Sequence, residues 1–144
     1  MWFTPEQFGL CNELRTWGLQ PRFEPGDVVA RGFADLGHEE FQVLPGPKLL
    51  SLTAGTTTPV PEGHAGHFFW IPSVDECVEL LEKRGVVCVS CGRKDGREWV
   101  VEAQCCGDIE AHRAASLHEA LLRALLAALK RARSEEHTSE LQSH

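Results

Sequence analysis

Three helix-start signatures divide this chain, and they constrain its fold more than any other feature of the sequence. Thr4-Pro5-Glu6-Gln7, Ser73-Val74-Asp75-Glu76 and Ser116-Leu117-His118-Glu119 each place a hydroxyl residue three positions before Glu or Gln. In such a capping box the two side chains satisfy backbone N–H groups that the first helical turn leaves unpaired. The sequence therefore predicts helices that begin at Pro5, Val74 and Leu117.

Apolar residues follow each start at helical spacing, and Gly18 and Gly85 end the first two helices. The broad apolar face of the third helix is typical of a largely buried helix. The predicted buried positions are Phe8, Cys11, Leu14 and Trp17 in the first helix, Val74, Cys77, Val78 and Leu81 in the second, and Leu117, Leu121, Leu122, Leu125, Leu126, Ala128 and Leu129 in the third.

The segment between the first two helices has the composition of a small β-rich subdomain. Short strands are predicted at residues 28–33, 40–44, 48–53 and 67–71, and the Gly-, Thr- and Pro-rich residues 54–66 are predicted to form a mobile loop. Several short strands joined by tight turns favour a small barrel or a curled sheet.

The segment between the last two helices predicts a β-hairpin. Strands at residues 86–91 and 98–104 flank Asp95-Gly96, a strong hairpin signal. A two-residue turn there would pair Cys91 with Val100 and Cys88 with Ala103. Residues 109–113 are predicted to add a third strand, since a hairpin alone is marginally stable. The face toward the helices would then carry Val86, Cys88, Trp99, Val101, Ala103 and Cys105.

The charge balance constrains the partners. The chain has 14 Lys and Arg against 21 Asp and Glu, a formal net charge of −7. This balance argues against a protein built around nucleic acid or anionic membranes, because both need a positive field. The sequence has no apolar run that would span a bilayer and no secretory signal at its start, so we expect a cytoplasmic protein with no membrane contact.

The cysteines are the first candidates for chemistry. Cys88-Val89-Ser90-Cys91 has the spacing of a zinc-ligand pair, and Cys105-Cys106 follows on the partner strand. Two positions three apart on a regular strand face opposite sides, however, although Gly92 allows some distortion. We therefore expect free thiols that behave as small apolar residues, with zinc at Cys88, Cys91, Cys105 and Cys106 as the alternative.

Histidines and nucleophiles supply weaker candidates. His64 and His67, with His38 upstream, would supply two or three of the ligands that a metal site needs. The sequence has no P-loop, no dinucleotide-binding glycine motif, no His-Glu-x-x-His and no serine in a sharp glycine-flanked turn. We therefore expect no catalytic residues, no cofactor and no enzymatic activity.

A basic hairpin supports an alternative function. Arg93, Lys94 and Arg97 surround the predicted turn, with Trp99 beside them. Basic side chains next to an aromatic ring are typical of nucleic-acid contacts. Asp95 and the acidic total favour the simpler interpretation, a solvated turn.

Two family resemblances concern the two halves. Ile71-Pro72-Ser73, the segment from Leu80 to Gly85, Trp99 and the Glu119-to-Leu126 segment resemble the small ABA-sandwich proteins of bacteriophages and prophages. That resemblance covers under half of the chain and implies a phage-associated accessory protein without catalytic residues. Residues 23–28, Phe-Glu-Pro-Gly-Asp-Val, resemble the opening of SH3-like barrels.

The last twelve residues, Arg-Ser-Glu-Glu-His-Thr-Ser-Glu-Leu-Gln-Ser-His, differ from what precedes them. They resemble the translation of a sequencing-library adapter, a contaminant of assembled metagenomic reads. The resemblance implies a natural chain cut short after about Ala132, and omitting residues 133–144 changes the net charge from −7 to −5 because one Arg and three Glu are lost.

The sequence thus predicts an α+β protein. Residues 1–70 would form a helix and a β-rich subdomain, an SH3-like barrel or a curled sheet, packed on an α-β-β(-β)-α antiparallel subdomain at 71–132, with a non-native tail at 133–144. We expect a non-enzymatic protein-interaction module with an unknown protein partner, and homo-oligomerisation stays open. A nucleic-acid-binding module that uses residues 93–97, with zinc at its cysteines, is the alternative.

Overall fold

A computed structural model describes residues 3–33, 37–63 and 65–142 of the chain. It divides them between two compact units, residues 1–72 and 73–144. The α+β class is confirmed, because helices and antiparallel sheets both form. The elements, in chain order, are α1 (Pro5–Thr16), β1 (Val28–Phe33), β2 (Gly37–Leu44), β3 (Lys48–Ser51), β4 (Thr57–Pro59), a short 3-10 turn (Ala65–His67), β5 (Phe69–Ile71), α2 (Val74–Lys83), β6 (Val87–Lys94), β7 (Glu98–Cys105), β8 (Asp108–Ala114) and α3 (Leu117–Gln142).

Capping boxes begin α1 and α2, as predicted. Thr4 Oγ1 accepts from the Gln7 amide at 3.2 Å, and Gln7 Oε1 accepts from the Thr4 amide at 2.8 Å. Ser73 and Glu76 repeat the arrangement at 3.1 and 3.0 Å. Each pair satisfies two backbone donors that the first turn would leave unpaired, which fixes where the helix begins.

Helix α3 begins at its predicted position with a variant of the same device. Ser116 Oγ accepts from the Glu119 amide at 3.1 Å, but the Glu119 carboxylate reaches the amide of Ala115, one residue earlier than in a regular box. The helix then continues to Gln142, through most of the residues that resemble an adapter. Ser, Glu and Gln are compatible with helical backbone, so no local signal stops the helix near Ala132.

The first unit contains an antiparallel sheet in the order β4-β3-β2-β1-β5. It stays open in the described residues, so of the two predicted arrangements the closed SH3-like barrel is wrong. Strand β4 pairs Thr58 with Leu49 inside the segment predicted to be a loop. Its three residues are all exposed, so it has no apolar alternation by which the sequence could reveal it.

One side of this sheet forms the core of the first unit. Phe23 and Val60 pack at its margin, and α1 packs against β5. Asp27, although buried, accepts from the Arg22 guanidinium at 2.7 Å, which stabilises the turn that opens β1. The buried members of the core are Val29, Phe41, Val43, Leu49 and Phe68.

The second unit is a three-stranded antiparallel sheet in the order β6-β7-β8. Helix α2 packs against β6, and α3 packs against β7, β8 and α2. Val101 and Ala103 are buried beneath the helices, together with Leu122 and Leu125 of α3. The predicted third strand is confirmed as β8, and the helix-strand-strand-strand-helix order is that of the prediction.

The β6–β7 hairpin corrects the predicted register. Lys94 pairs with Glu98, so three residues separate the strands, and Asp95 and Gly96 both adopt positive φ, +58° and +70°. Cys91 consequently lies opposite Val101 rather than Val100. The register shifts back between Cys88 and Ser90, and Cys88 meets Ala103 as predicted.

Candidate functional site

The second sheet has one face covered by helices and one face turned away from them, which we call the outer face. Val101 and Ala103 belong to the covered face, so the alternate residues of β7 belong to the outer face. The outer face comprises Val87, Ser90, Gly92 and Lys94 of β6, Glu98, Val100, Glu102 and Gln104 of β7, and Ile109, Ala111 and Arg113 of β8.

Three large apolar side chains are exposed at one end of this sheet. Val87 is 54 % exposed, Val89 45 % and Ile109 58 %, and no other large apolar side chain reaches that exposure among the residues whose burial the structure describes. Val87 and Ile109 both lie opposite Gln104, one on each side, so they form a row across the outer face. Val89 is the extra residue where the register shifts. We call Val87, Val89 and Ile109 the apolar patch.

Charged residues of both signs adjoin the apolar patch in the chain. Glu82, Lys83 and Arg84 shortly precede Val87, and Asp108 and Glu110 flank Ile109. Glu110 is bonded to Arg131. The carboxylates on either side of Ile109 suit a positively charged partner there better than a negatively charged one.

The opposite end of the outer face is polar. Lys94 lies 3.9 Å from Glu102, and Arg113 lies 3.6 Å from Glu98. These exposed pairs contribute little stability, but each carboxylate offsets one cation. Beside them a groove of about 170 Å³ runs over Gly92, where the missing side chain leaves space next to Val100.

The four residues of the predicted nucleic-acid contact lie around this hairpin without forming one surface. Lys94 belongs to the outer face, whereas Arg93 and Trp99 pair across the helix-covered face. The Arg93 guanidinium stacks 5.7 Å from the centre of the half-buried Trp99 ring. Arg97 is exposed in the turn. Of the three cations, Lys94 is paired with Glu102, whereas Arg93 and Arg97 keep their charge, with Arg93 on the opposite face of the sheet from Lys94.

The Cys-x-x-Cys pair is arranged differently from the regular strand that the sequence predicts. Because of the shift at Val89, Cys88 and Cys91 lie opposite Ala103 and Val101, which share one face. The two side chains thus point to the same side rather than to opposite sides. Burial, with smaller effects from Cys91 and Glu82, raises the pKa of the Cys88 thiol.

Cys105 and Cys106 lie at the other hairpin turn of the sheet. Their sulfur atoms are 3.5 Å apart. Even so, no three His, Cys, Asp or Glu side chains converge on a common metal position anywhere in the described part of the chain. The tetrahedral zinc site considered for Cys88, Cys91, Cys105 and Cys106 is therefore not assembled in this structure.

The structure brings two of the three candidate histidines together in the first unit. His38 and His67 line a cavity of about 270 Å³ with Asn12 and Arg15, while His64 lies outside the described residues. The Arg15 guanidinium donates to the Asn12 side chain at 2.7 Å and to the Gly66 carbonyl at 2.9 Å. His38 stacks on Phe8 with ring centres 4.5 Å apart, so packing contributes to its position.

Sequence reasoning missed the apolar patch. It predicted Val87 and Ile109 as strand residues, but exposure depends on which face the helices cover. One signal was present in the sequence. Each of the two strands carries an apolar residue at a position that, because side chains alternate between the faces, lies on the side away from the helices.

The fold and site define a small α+β protein with a helix-covered antiparallel sheet and an exposed apolar patch. Comparisons of the chain with protein-family models, with curated proteins and with solved structures found no match. No described helix is both long enough and apolar enough to cross a membrane.

Proposed function

We propose that the chain is a non-enzymatic protein-interaction module that binds a basic partner protein through the apolar patch of its second unit. The observation that carries the proposal is the concentration of exposed large apolar side chains at Val87, Val89 and Ile109. Scattered exposed apolar residues are ordinary, whereas a group of them on one sheet end is typical of an interaction surface.

The charge of the chain supports a basic partner over a second copy. With a net charge of −7, two copies repel one another, whereas a basic protein is attracted over a distance comparable to the Debye length. The carboxylates that border the patch act in the same direction at close range. A partner segment that alternates apolar and basic side chains matches both features.

The accessory role in a bacteriophage or prophage belongs to the same proposal and is supported by the resemblance of residues 71–129 alone. The nucleic-acid alternative has no comparable support. One of its three cations, Lys94, is paired with Glu102 and lies on the opposite face of the sheet from Arg93 and Trp99.

A peptide titration tests the proposal. The full chain, labelled with ¹⁵N, is titrated with a synthetic peptide of alternating Val and Lys, and a peptide of alternating Val and Glu is the control. We expect amide shifts at Val87, Val89, Gln104 and Ile109 with the basic peptide, and we expect them to weaken as salt is added.

Two variants locate the effect. Ile109→Lys should abolish the shifts, while Lys94→Gln, on the same face at the far end, should leave them unchanged. Shifts confined to residues 93–97 would contradict the proposal and favour the hairpin as the binding surface. Sedimentation of the free chain as a dimer that Val87→Lys makes monomeric would replace the basic partner with a second copy.

A further inference from the structure

The β7–β8 turn holds two adjacent thiols in contact. Cys105 pairs with Asp108, so Cys106 and Gly107 are the two turn residues, and both adopt positive φ, +55° and +87°. Gly, Asn and Asp are the usual residues in such a turn, and a cysteine there takes a backbone conformation that its side chain disfavours. The sulfur atoms lie 3.5 Å apart. Cys106 is exposed, and neither cysteine is part of a disulfide.

This separation suits an atom bonded to both sulfurs. Two Zn–S bonds of ~2.3 Å at a tetrahedral angle place the sulfurs roughly 3.8 Å apart. Trivalent arsenic is pyramidal, with narrower angles, and therefore holds two sulfurs closer together. It also needs only two thiolates, because its third position is filled by an organic group or hydroxide.

We propose that Cys105 and Cys106 form a vicinal dithiol site that captures trivalent arsenic through two As–S bonds. With an organic arsenoxide, R–As=O, the two thiols form two As–S bonds and the As=O bond is lost. The oxygen leaves as water with both thiol protons. Arsenic stays trivalent, so the step needs neither oxidant nor reductant.

The surroundings give the two thiols different roles. The Arg131 guanidinium is hydrogen-bonded to Glu110, and this contact, with a smaller effect from the nearby Cys105, raises the pKa of the guanidinium. Chiefly because of its hydrogen bond with Cys105, the Cys106 thiol has a raised pKa. Cys106 is exposed and Cys105 is half-buried, so Cys106 is the sulfur that a reagent reaches first, and Cys105 closes the ring.

The other cysteine pair provides an internal comparison. Cys88 and Cys91 share a face but lie opposite Ala103 and Val101, two residues apart on β7. Along a strand that is ~6.6 Å, about twice the rise per residue. That backbone spacing is wider than the spacing between the adjacent residues Cys105 and Cys106, whose sulfurs are already in contact.

Intact-mass analysis of the folded full chain with phenylarsine oxide tests the site. We expect one adduct per chain whose mass equals the reagent less one water. It should survive a large excess of 2-mercaptoethanol, since a monothiol must break both bonds separately. It should be removed by 1,2-ethanedithiol, which replaces both sulfurs at once.

Single serine variants decide the location. Cys106→Ser should reduce the adduct that resists 2-mercaptoethanol by at least tenfold, while the matched Cys91→Ser should leave it unchanged. Circular dichroism checks that both variants are folded. An adduct lost in Cys91→Ser but kept in Cys106→Ser would overturn the assignment, as would removal of the wild-type adduct by the monothiol. A Zn²⁺ ion that prevents arsenic capture at equimolar concentration would identify zinc as the better ligand and would also overturn it.

Discussion

Leu122 lies at the centre of the second unit, and its truncation tests how that unit is stabilised. Its side chain is 0 % exposed, on the face of α3 that packs against the sheet. Leu122→Ala removes three buried carbon atoms, which at ~0.8 kcal/mol each amounts to roughly 2.4 kcal/mol of lost transfer free energy. The cavity left behind raises the total to about 3–5 kcal/mol, because neighbouring leucines close it only in part.

Urea unfolding followed by tryptophan fluorescence measures the change, and of the four tryptophans Trp99, in β7, is the one that belongs to this unit. The same substitution at Leu117, which is only half-buried, is the matched control and should cost less than half as much. The slope against urea concentration should not change, since both variants expose the same surface on unfolding. A loss below about 1 kcal/mol for Leu122→Ala would refute the packing of α3 on the sheet.

Three further predictions concern the surroundings of single residues. Asp27→Ala should lower the free energy of unfolding, measured by chemical denaturation, by about 1–3 kcal/mol, because the buried acceptor of Arg22 is lost. An equal loss in Asp27→Asn would show that the stabilisation depends on the charge of the carboxylate. No loss in either variant would contradict a stabilising role for this contact. Burial raises the pKa of the Cys77 thiol from 9.0 to about 12, so this thiol ionises at lower pH in the unfolded chain than in the folded chain. The free energy of unfolding should therefore fall as pH rises above 9.0. Labelling of Cys77 by iodoacetamide in the native chain at the rate of Cys106 would show that Cys77 is not buried. Burial lowers the pKa of His112 below 6.5 despite the opposing effect of Glu110, so the histidine binds its proton at higher pH in the unfolded chain than in the folded chain. Stability should therefore fall as pH decreases from 6.5. In thermal melts, His112→Gln should flatten this dependence of stability on pH, and an unchanged dependence would contradict the assignment to His112.

Local signals predicted the elements of this fold well. Thr4, Ser73 and Ser116 each begin a helix because a capping box acts within four residues of sequence. Strand β1 has the predicted bounds, Val28–Phe33, since its apolar residues are bounded by a turn. Apart from β4 and the short 3-10 turn, the order of helices and strands follows from such signals.

Long-range features could not be predicted in the same way. The shift between Cys88 and Ser90 depends on how β6 and β7 fit together after a three-residue turn, and it decides which face Cys91 occupies. The exposure of Val87 and Ile109 likewise depends on the helices covering the opposite face. A polar edge strand such as Thr57–Pro59 pairs through its backbone, which its side chains do not reveal.

The apolar patch could therefore not be predicted from the sequence, whereas the proximity of the two reactive cysteines near it could. Cys105 and Cys106 are adjacent in the chain, so their proximity was visible from the start. Their sulfur contact in a turn with positive φ required the structure.

The binding affinity of the alternating Val and Lys peptide for the wild-type chain and for Ile109→Lys tests the interaction surface most directly. Ile109 is more than half exposed in the free chain, so its burial by a partner contributes about 1.4 kcal/mol, a tenfold change in Kd. We expect at least a tenfold weaker affinity for Ile109→Lys, with the free energy of unfolding unchanged within about 0.5 kcal/mol. Equal affinity in two equally stable chains would contradict it.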